Sequence, residues 1–203
     1  MNSLFYYYRK LLVKSRDWFM LAFLIFLLGV FWGLVFSLTN SDFSTNILHN
    51  YSSSLDKNVK EGFDLSRYVF ERNFGIVLFS IITGFFFGLV PTVVAFFNGL
   101  LLGILLGFRN IYSVLNPLQL FFLLFPHGIF EYLGTFLGLA AALKLGLNWT
   151  LAHSRGRRGK VFREDLLGAL ALLPLVLILL VVAAYIEGNW TAKIACLFSS
   201  ICH

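Results

Sequence analysis

A chain of 203 residues could form one soluble domain, but 59% hydrophobic and 18% aromatic residues against only 13% charged exclude one, because soluble domains carry about a quarter charged residues. The charges gather in a few windows and leave apolar runs of about 17 to 25 residues, the length that crosses a hydrocarbon core. The formal charge of +6 sits at the amino terminus and near residue 155, each time beside an apolar run, so it marks cytoplasmic membrane flanks and excludes nucleic acid as the partner.

In residues 1–17, Arg9, Lys10, Lys14 and Arg16 interleave with Tyr6, Tyr7, Tyr8, Leu11 and Leu12. This composition predicts an interfacial helix on the cytoplasmic leaflet, with membrane lipids as its partner. The apolar run 18–38 follows as a first span. It is longer than a secretory signal core and no Ala-x-Ala site follows it, while Gly29 and Gly33 give a small-xxx-small face for helix packing. Residues 40–73 are polar, with Leu48, Tyr51, Leu55, Val59 and Phe63 spaced three or four apart. That spacing predicts an external amphipathic helix, lying either on the membrane surface or over the outer mouth of the bundle.

Residues 74–108 carry no charge, and at about 1.5 Å per residue they are too long for one untilted helix across a core of about 30 Å. Pro91 divides them into a second span, 74–90, and a third, 92–108, joined by a tight cytoplasmic turn. The stretch 116–145 is also too long, and it contains Pro117, Pro126 and Gly128. Pro126 suits the first turn of a helix, where its missing N–H matters least. Residues 118–145 therefore read as a broken or re-entrant element, with 118–125 entering and the fourth span starting at Pro126.

Lys144, Arg155, Arg157, Arg158, Lys160 and Arg163 mark 146–165 as a basic cytoplasmic loop. These side chains also suit anionic lipid, at about 1 kcal/mol each near the surface. Residues 166–186, kinked by Pro174, form a fifth span and leave 187–203 as an external tail. Cys196 and Cys202 in that tail can pair there, whereas a metal site with His203 would need ligands from elsewhere. The expected fold is all-α: a single polytopic membrane domain of about five transmembrane helices, amino terminus cytoplasmic and carboxy terminus external. Asn50, Asn148 and Asn189 open glycosylation-type triplets, which indicate surface exposure and nothing more.

Glycines recur at four-residue intervals: Gly84 and Gly88, then Gly99, Gly103 and Gly107, then Gly134 and Gly138. Each set makes a shallow groove along one helix face and predicts close helix packing. His127 and Glu131 lie one turn apart on one face of the fourth span, within a run otherwise free of ionisable groups. A carboxylate at that depth costs at least about 2 to 3 kcal/mol, so it should face the protein interior, be protonated or find a partner. Asn98 likewise needs a partner in hydrocarbon, and Glu131 or a carbonyl freed at Pro126 would serve. The three side chains form a candidate polar cluster with four readings: a proton relay, a substrate site, part of a metal site, or a clamp that fixes the helix break at Pro126 and Gly128. A zinc hydrolase is the weakest of these, because catalytic zinc takes three protein ligands and the membrane region offers neither another His or Cys nor a His-Glu-x-x-His. No metal, cofactor or catalytic residue is expected.

The order of these features resembles the stage II sporulation protein M family. A first helix and an external polar segment precede Gly84 and Gly88, then Asn98-Gly99 with spaced glycines, then Pro126-His127-Gly128-Ile129-Phe130-Glu131 and the small-residue run 138–142. The similarity spans most of the chain and is strongest from Gly84 to Gly146. It implies a member of a membrane complex, in endospore formers one that works with cell-wall-degrading partners in engulfment. The basic loop and the cysteine-containing tail match no motif of the family.

Two classes of function follow. The first is a non-enzymatic membrane scaffold or recruiter with envelope-complex partners and the capacity to homodimerise through glycine faces. The second is a small transporter or lipid translocator working through His127, Glu131 and Asn98, since helices broken at membrane depth build such sites. An intramembrane metal-dependent hydrolase is the minor alternative.

Overall fold

The structure is a computed structural model and describes residues 2–53, 62–108, 117–151, 155–191 and 193. All regular structure among the described residues is helical: α1 (Asn2–Thr39), α2 (Ser41–Ser53), α3 (Phe63–Thr83), α4 (Leu89–Gly107), α5 (Pro117–Leu151) and α6 (Arg155–Ile186), which ends in a π-helical turn, Glu187–Thr191. Four of these, α1, α4, α5 and α6, are long and apolar enough to cross a membrane. Helix α3 is mixed. Asp64, Arg67, Glu71 and Arg72 occupy its first half, and the run from Phe74 onward is apolar.

The closest packing joins α1 to α4. A Cβ at Gly99 would overlap Phe26 O and one at Gly103 would overlap Val30 O, while Gly29 and Gly33 stand in the same relation to Phe96 O and Leu100 O. Small residues on both helices let the two backbones touch, which is the main source of helix association where lipid is as apolar as the side chains. Ser37 Oγ donates to Ile104 O at 3.0 Å, and Gly107 packs on Ser37. Residue numbers rise together across this contact, so α1 and α4 run parallel.

Helix α5 is the centre of the bundle, with every residue from Gly138 to Gly146 buried. One apolar cluster joins Val77 and Ile81 of α3, Ala141 and Leu145 of α5, and Leu172 and Val176 of α6. A second joins Phe26, Ala95, Phe136 and Leu139 of α1, α4 and α5. Gly138 packs on Val77, Gly84 on Ala142 O, Gly146 on Gly84 O, and Gly134 on Leu179 and Leu180. The first two pairs make α3 parallel to α5, and the last, taken with the approach of Lys144 to Asp165, makes α6 antiparallel to it. Helices α1, α4 and α6 therefore point one way, α3 and α5 the other. Leu11 meets the Gly168 position, which brings the two basic segments to one end, hereafter the basic end; the π-turn lies at the far end.

Several boundaries differ from those read in sequence. The run 74–108 breaks at residues 84–88, where Phe87 and Gly88 take φ of 56° and 66°. Pro91 instead sits in the first turn of α4, where no N–H is needed. The break expected at Pro126 is absent, for α5 is continuous from Pro117 to Leu151 with Pro126 inside it. A proline removes one helical hydrogen bond and crowds a carbonyl, but neighbouring helices hold the chain on course in membrane bundles.

The basic segment 146–165 is largely helical, since α5 extends to Leu151 and α6 begins at Arg155. The amino-terminal segment is likewise continuous with the first span. Its 38-residue helix is about 57 Å long, well beyond a core of about 30 Å. The polar stretch 40–73 divides into α2 and the first half of α3, with Leu48 half-buried and Phe63 exposed. The side chains of Tyr51, Leu55, Val59 and Arg155, together with Cys196 and Cys202, lie outside the described residues.

Candidate functional site

At the far end α5 presents His127 and Glu131 one turn apart toward the π-turn that closes α6. That turn supplies Glu187, and the ligand-type atoms of the three side chains all lie within 4.8 Å of one another. π-Helical turns are rare and recur at functional sites. This one is pressed against α3: Gly62 N–H donates to Gly188 O at 2.9 Å, and Asn189 Nδ2 donates to Ser66 Oγ at 3.2 Å. Gly188 is buried, and a Cβ there would overlap Ser66 Oγ and Gly62 O. Only glycine lets the turn come this close.

Helix α3 contributes the polar surround. The Asn73 side chain hydrogen-bonds the Glu131 carboxylate, and the Arg72 guanidinium lies within electrostatic reach of it. Glu187 feels both Glu131 and Arg72. Thr191 Oγ1 lies 3.3 Å from Ile186 O and 3.2 Å from His127 Nδ1, so the hydroxyl and the imidazole share one hydrogen bond whose direction follows the imidazole tautomer. All three titratable groups are half-buried.

The structure brings together His127 and Glu131 but gives Asn98 a different partner. Asn98 Nδ2 donates to Val94 O of its own helix at 2.8 Å, so α4 needs no acceptor from Glu131. Gly128 faces away from the polar cluster, into an apolar cavity of about 780 Å³ between α1, α4 and α5 that Phe23, Phe26, Leu102 and Tyr132 also line. Sequence reading does not find Arg72, Asn73, Glu187 and Thr191. The available signal was Glu187, the sole acidic residue from 166 to 193, placed at the end of the last apolar run.

The basic end holds a second polar group. Lys144 Nζ lies 3.4 Å from Asp165 Oδ1, and Asn148 Nδ2 donates to Asp165 Oδ2 at 2.7 Å. Lys144, read in sequence as a charge of the cytoplasmic flank, is buried between α5 and α6. Arg157, Lys160 and Arg163 are exposed and Arg158 is half-buried.

The chain matches the family model described as stage II sporulation protein M over residues 22–192, a range that contains every residue of the far-end cluster. It is 30% identical over 186 residues to an uncharacterized protein of Methanocaldococcus jannaschii, covering 86% of this chain and 94% of that protein. No solved structure matches it.

Proposed function

The chain belongs to the stage II sporulation protein M family, and from that membership we propose that it is a non-enzymatic, multi-pass protein of the cell membrane that scaffolds or recruits partners in a membrane or cell-envelope complex. Five spans fit best, with α3 as the fifth beside the four apolar helices, because its apolar half runs alongside α5. The positive-inside rule then puts the basic end in the cytoplasm and the far end, with α2, outside. Arg157, Lys160 and Arg163 are exposed there to meet anionic lipid.

One observation carries the scaffold reading: α1 and α4 are joined backbone to backbone through glycines on both sides, a contact that leaves no room for a moving element. Between Glu131 and Lys144, about 20 Å along α5, the helix is apolar apart from Tyr132 and Thr135, and its buried face packs into the two apolar clusters. A transporter of alternating access needs a site near the membrane midplane, whereas the charged residues of α5, Glu131 and Lys144, flank its apolar midsection. The transport reading keeps one supporting observation, the close grouping of His127, Glu131 and Glu187. Exposed apolar side chains such as Phe79 and Ile82 are compatible with lipid or with a homodimer partner.

A photocrosslinker at Phe63, which is 78% exposed beside the external segment, should capture the same membrane or wall-associated protein in repeated native-membrane preparations. Loss of that adduct on substituting Leu48→Asp in α2 would support recruitment by the external surface. Capture of lipid alone at this position counts against it. Thiol labelling of Lys160→Cys from the cytoplasmic side and Asp64→Cys from outside tests the five-span orientation, and labelling of both from one side rejects it.

A further inference from the structure

We propose that the far-end cluster is a binding site for a divalent transition-metal ion, with His127, Glu131 and Glu187 as its protein ligands. Donors on one tetrahedral zinc-type ion at about 2.0 to 2.2 Å stand about 3.3 to 3.6 Å apart, and the three ligand atoms lie within 4.8 Å of one another, so a bound ion would draw them together by about 1 Å. The ligands come from two elements, α5 and the π-turn, so a bound ion would pin the end of α6 to the helix at the centre of the bundle.

Two further features fit a ligand. The Thr191 hydroxyl lies 3.2 Å from Nδ1 of His127, and in the tautomer in which Nδ1–H donates to it Nε2 keeps its lone pair for an ion. A hydrogen bond to the second ring nitrogen is the usual way a metal-binding histidine is oriented. Glu131 is in turn held by Asn73, as ligating carboxylates commonly are. Arg72 of α3 lies within electrostatic reach of both carboxylates. An imidazole with two carboxylates suits zinc or manganese, whereas magnesium and calcium favour all-oxygen shells.

This inference stands apart from the scaffold reading: a site without metal would leave recruitment untouched, and a lost partner would leave metal binding untouched. The test uses the full chain in detergent with Cys196→Ser and Cys202→Ser, so that tail thiols cannot hold the ion. After loading with zinc or manganese salts and desalting, the protein should retain one equivalent of metal, and magnesium should not compete. Glu187→Gln and Glu131→Gln should weaken retention by more than tenfold, and Thr191→Val, which only orients His127, by about tenfold. Wild-type protein should also melt at a higher temperature as zinc is raised, a shift that follows mass action and remains readable if a ligand variant fails to fold. Absence of stoichiometric zinc or manganese, equal retention of magnesium, or retention unchanged in Glu187→Gln would each overturn the assignment.

Discussion

Lys144 of α5 and Asp165 of α6 face each other at 3.4 Å with side chains only 8% and 3% exposed, and Asn148 binds the second oxygen of the same carboxylate. This ion pair ties the two helices at the basic end, as the π-turn cluster ties them at the far end. The charges are desolvated, so their attraction is offset by the cost of leaving water. What the pair contributes is mainly a penalty on any arrangement in which one partner is left alone.

Lys144→Met should therefore destabilise the protein by about 3 to 5 kcal/mol, because it strands the Asp165 carboxylate. Adding Asp165→Leu should recover most of that loss, since an apolar pair of similar volume often equals a buried ion pair. Thermal unfolding of both variants in one detergent gives the comparison. Equal stability of the single and double variants would show that Asp165 finds water when Lys144 is gone.

The α1 and α4 contact predicts opposite outcomes for two glycine substitutions. A Cβ at Gly99 falls on Phe26 O and the adjoining backbone, whereas one at Gly75 meets nothing within 4 Å. Gly99→Ala must push the helices apart and should cost about 1 to 3 kcal/mol, the usual penalty for overpacking. Gly75→Ala, on an open face of α3, should be neutral or stabilise by up to about 1 kcal/mol through helix propensity. A disulfide engineered across α1 and α4 should form more slowly in Gly99→Ala and at the parental rate in Gly75→Ala.

Much of the fold was legible because hydrocarbon imposes it: long apolar runs must become helices, and glycines four apart mark where helices meet. The helix breaks are less legible. Pro91 and Pro126 are strong breaking signals in isolation, yet one lies in a first turn and the other is carried through a helix held on several sides. The turn falls instead at Phe87 and Gly88, whose left-handed backbone no periodicity reveals. At the site, the His127 and Glu131 pair was visible from its four-residue spacing, but the partner chosen for it, Asn98, is satisfied within its own helix. Glu187 lies 56 residues beyond Glu131 in sequence, and only the antiparallel return of α6 brings it alongside.

At the turn between α3 and α4, Gly88 has φ of 66° and the Leu147 side chain lies 3.2 Å from where its Cβ would stand. Gly88→Val meets both obstacles, a left-handed backbone that costs a side-chain-bearing residue about 1 to 2 kcal/mol and a crowded neighbour. The β-branch makes the strain worse, because such residues are outliers at positive φ. The variant should lower the melting temperature and raise protease cleavage between residues 84 and 88. Gly88→Asn, which tolerates this conformation, should suffer less. Equal losses for Val and Asn would assign the effect to crowding by Leu147 rather than to the backbone.

Gly188→Ala tests whether the π-turn is held by α3. The added methyl would overlap Ser66 Oγ and lie 2.6 Å from Gly62 O, so the turn must lift and lose the bond from Gly62 N–H to Gly188 O. The Asn189 to Ser66 bond lies one residue away and should weaken with it. Local opening of this kind leaves the apolar clusters of α5 intact, so the expected change is regional. Amide exchange at Gly62 and Ser66 should quicken by tenfold or more, equivalent to about 1.4 kcal/mol of lost protection, while Leu139 and Val176 exchange as before. A double variant with Ser66→Ala, which removes one obstructing oxygen, should regain part of the protection at Gly62. If exchange quickens equally across α5 and α6, the π-turn is part of the global folding unit and not a separable latch.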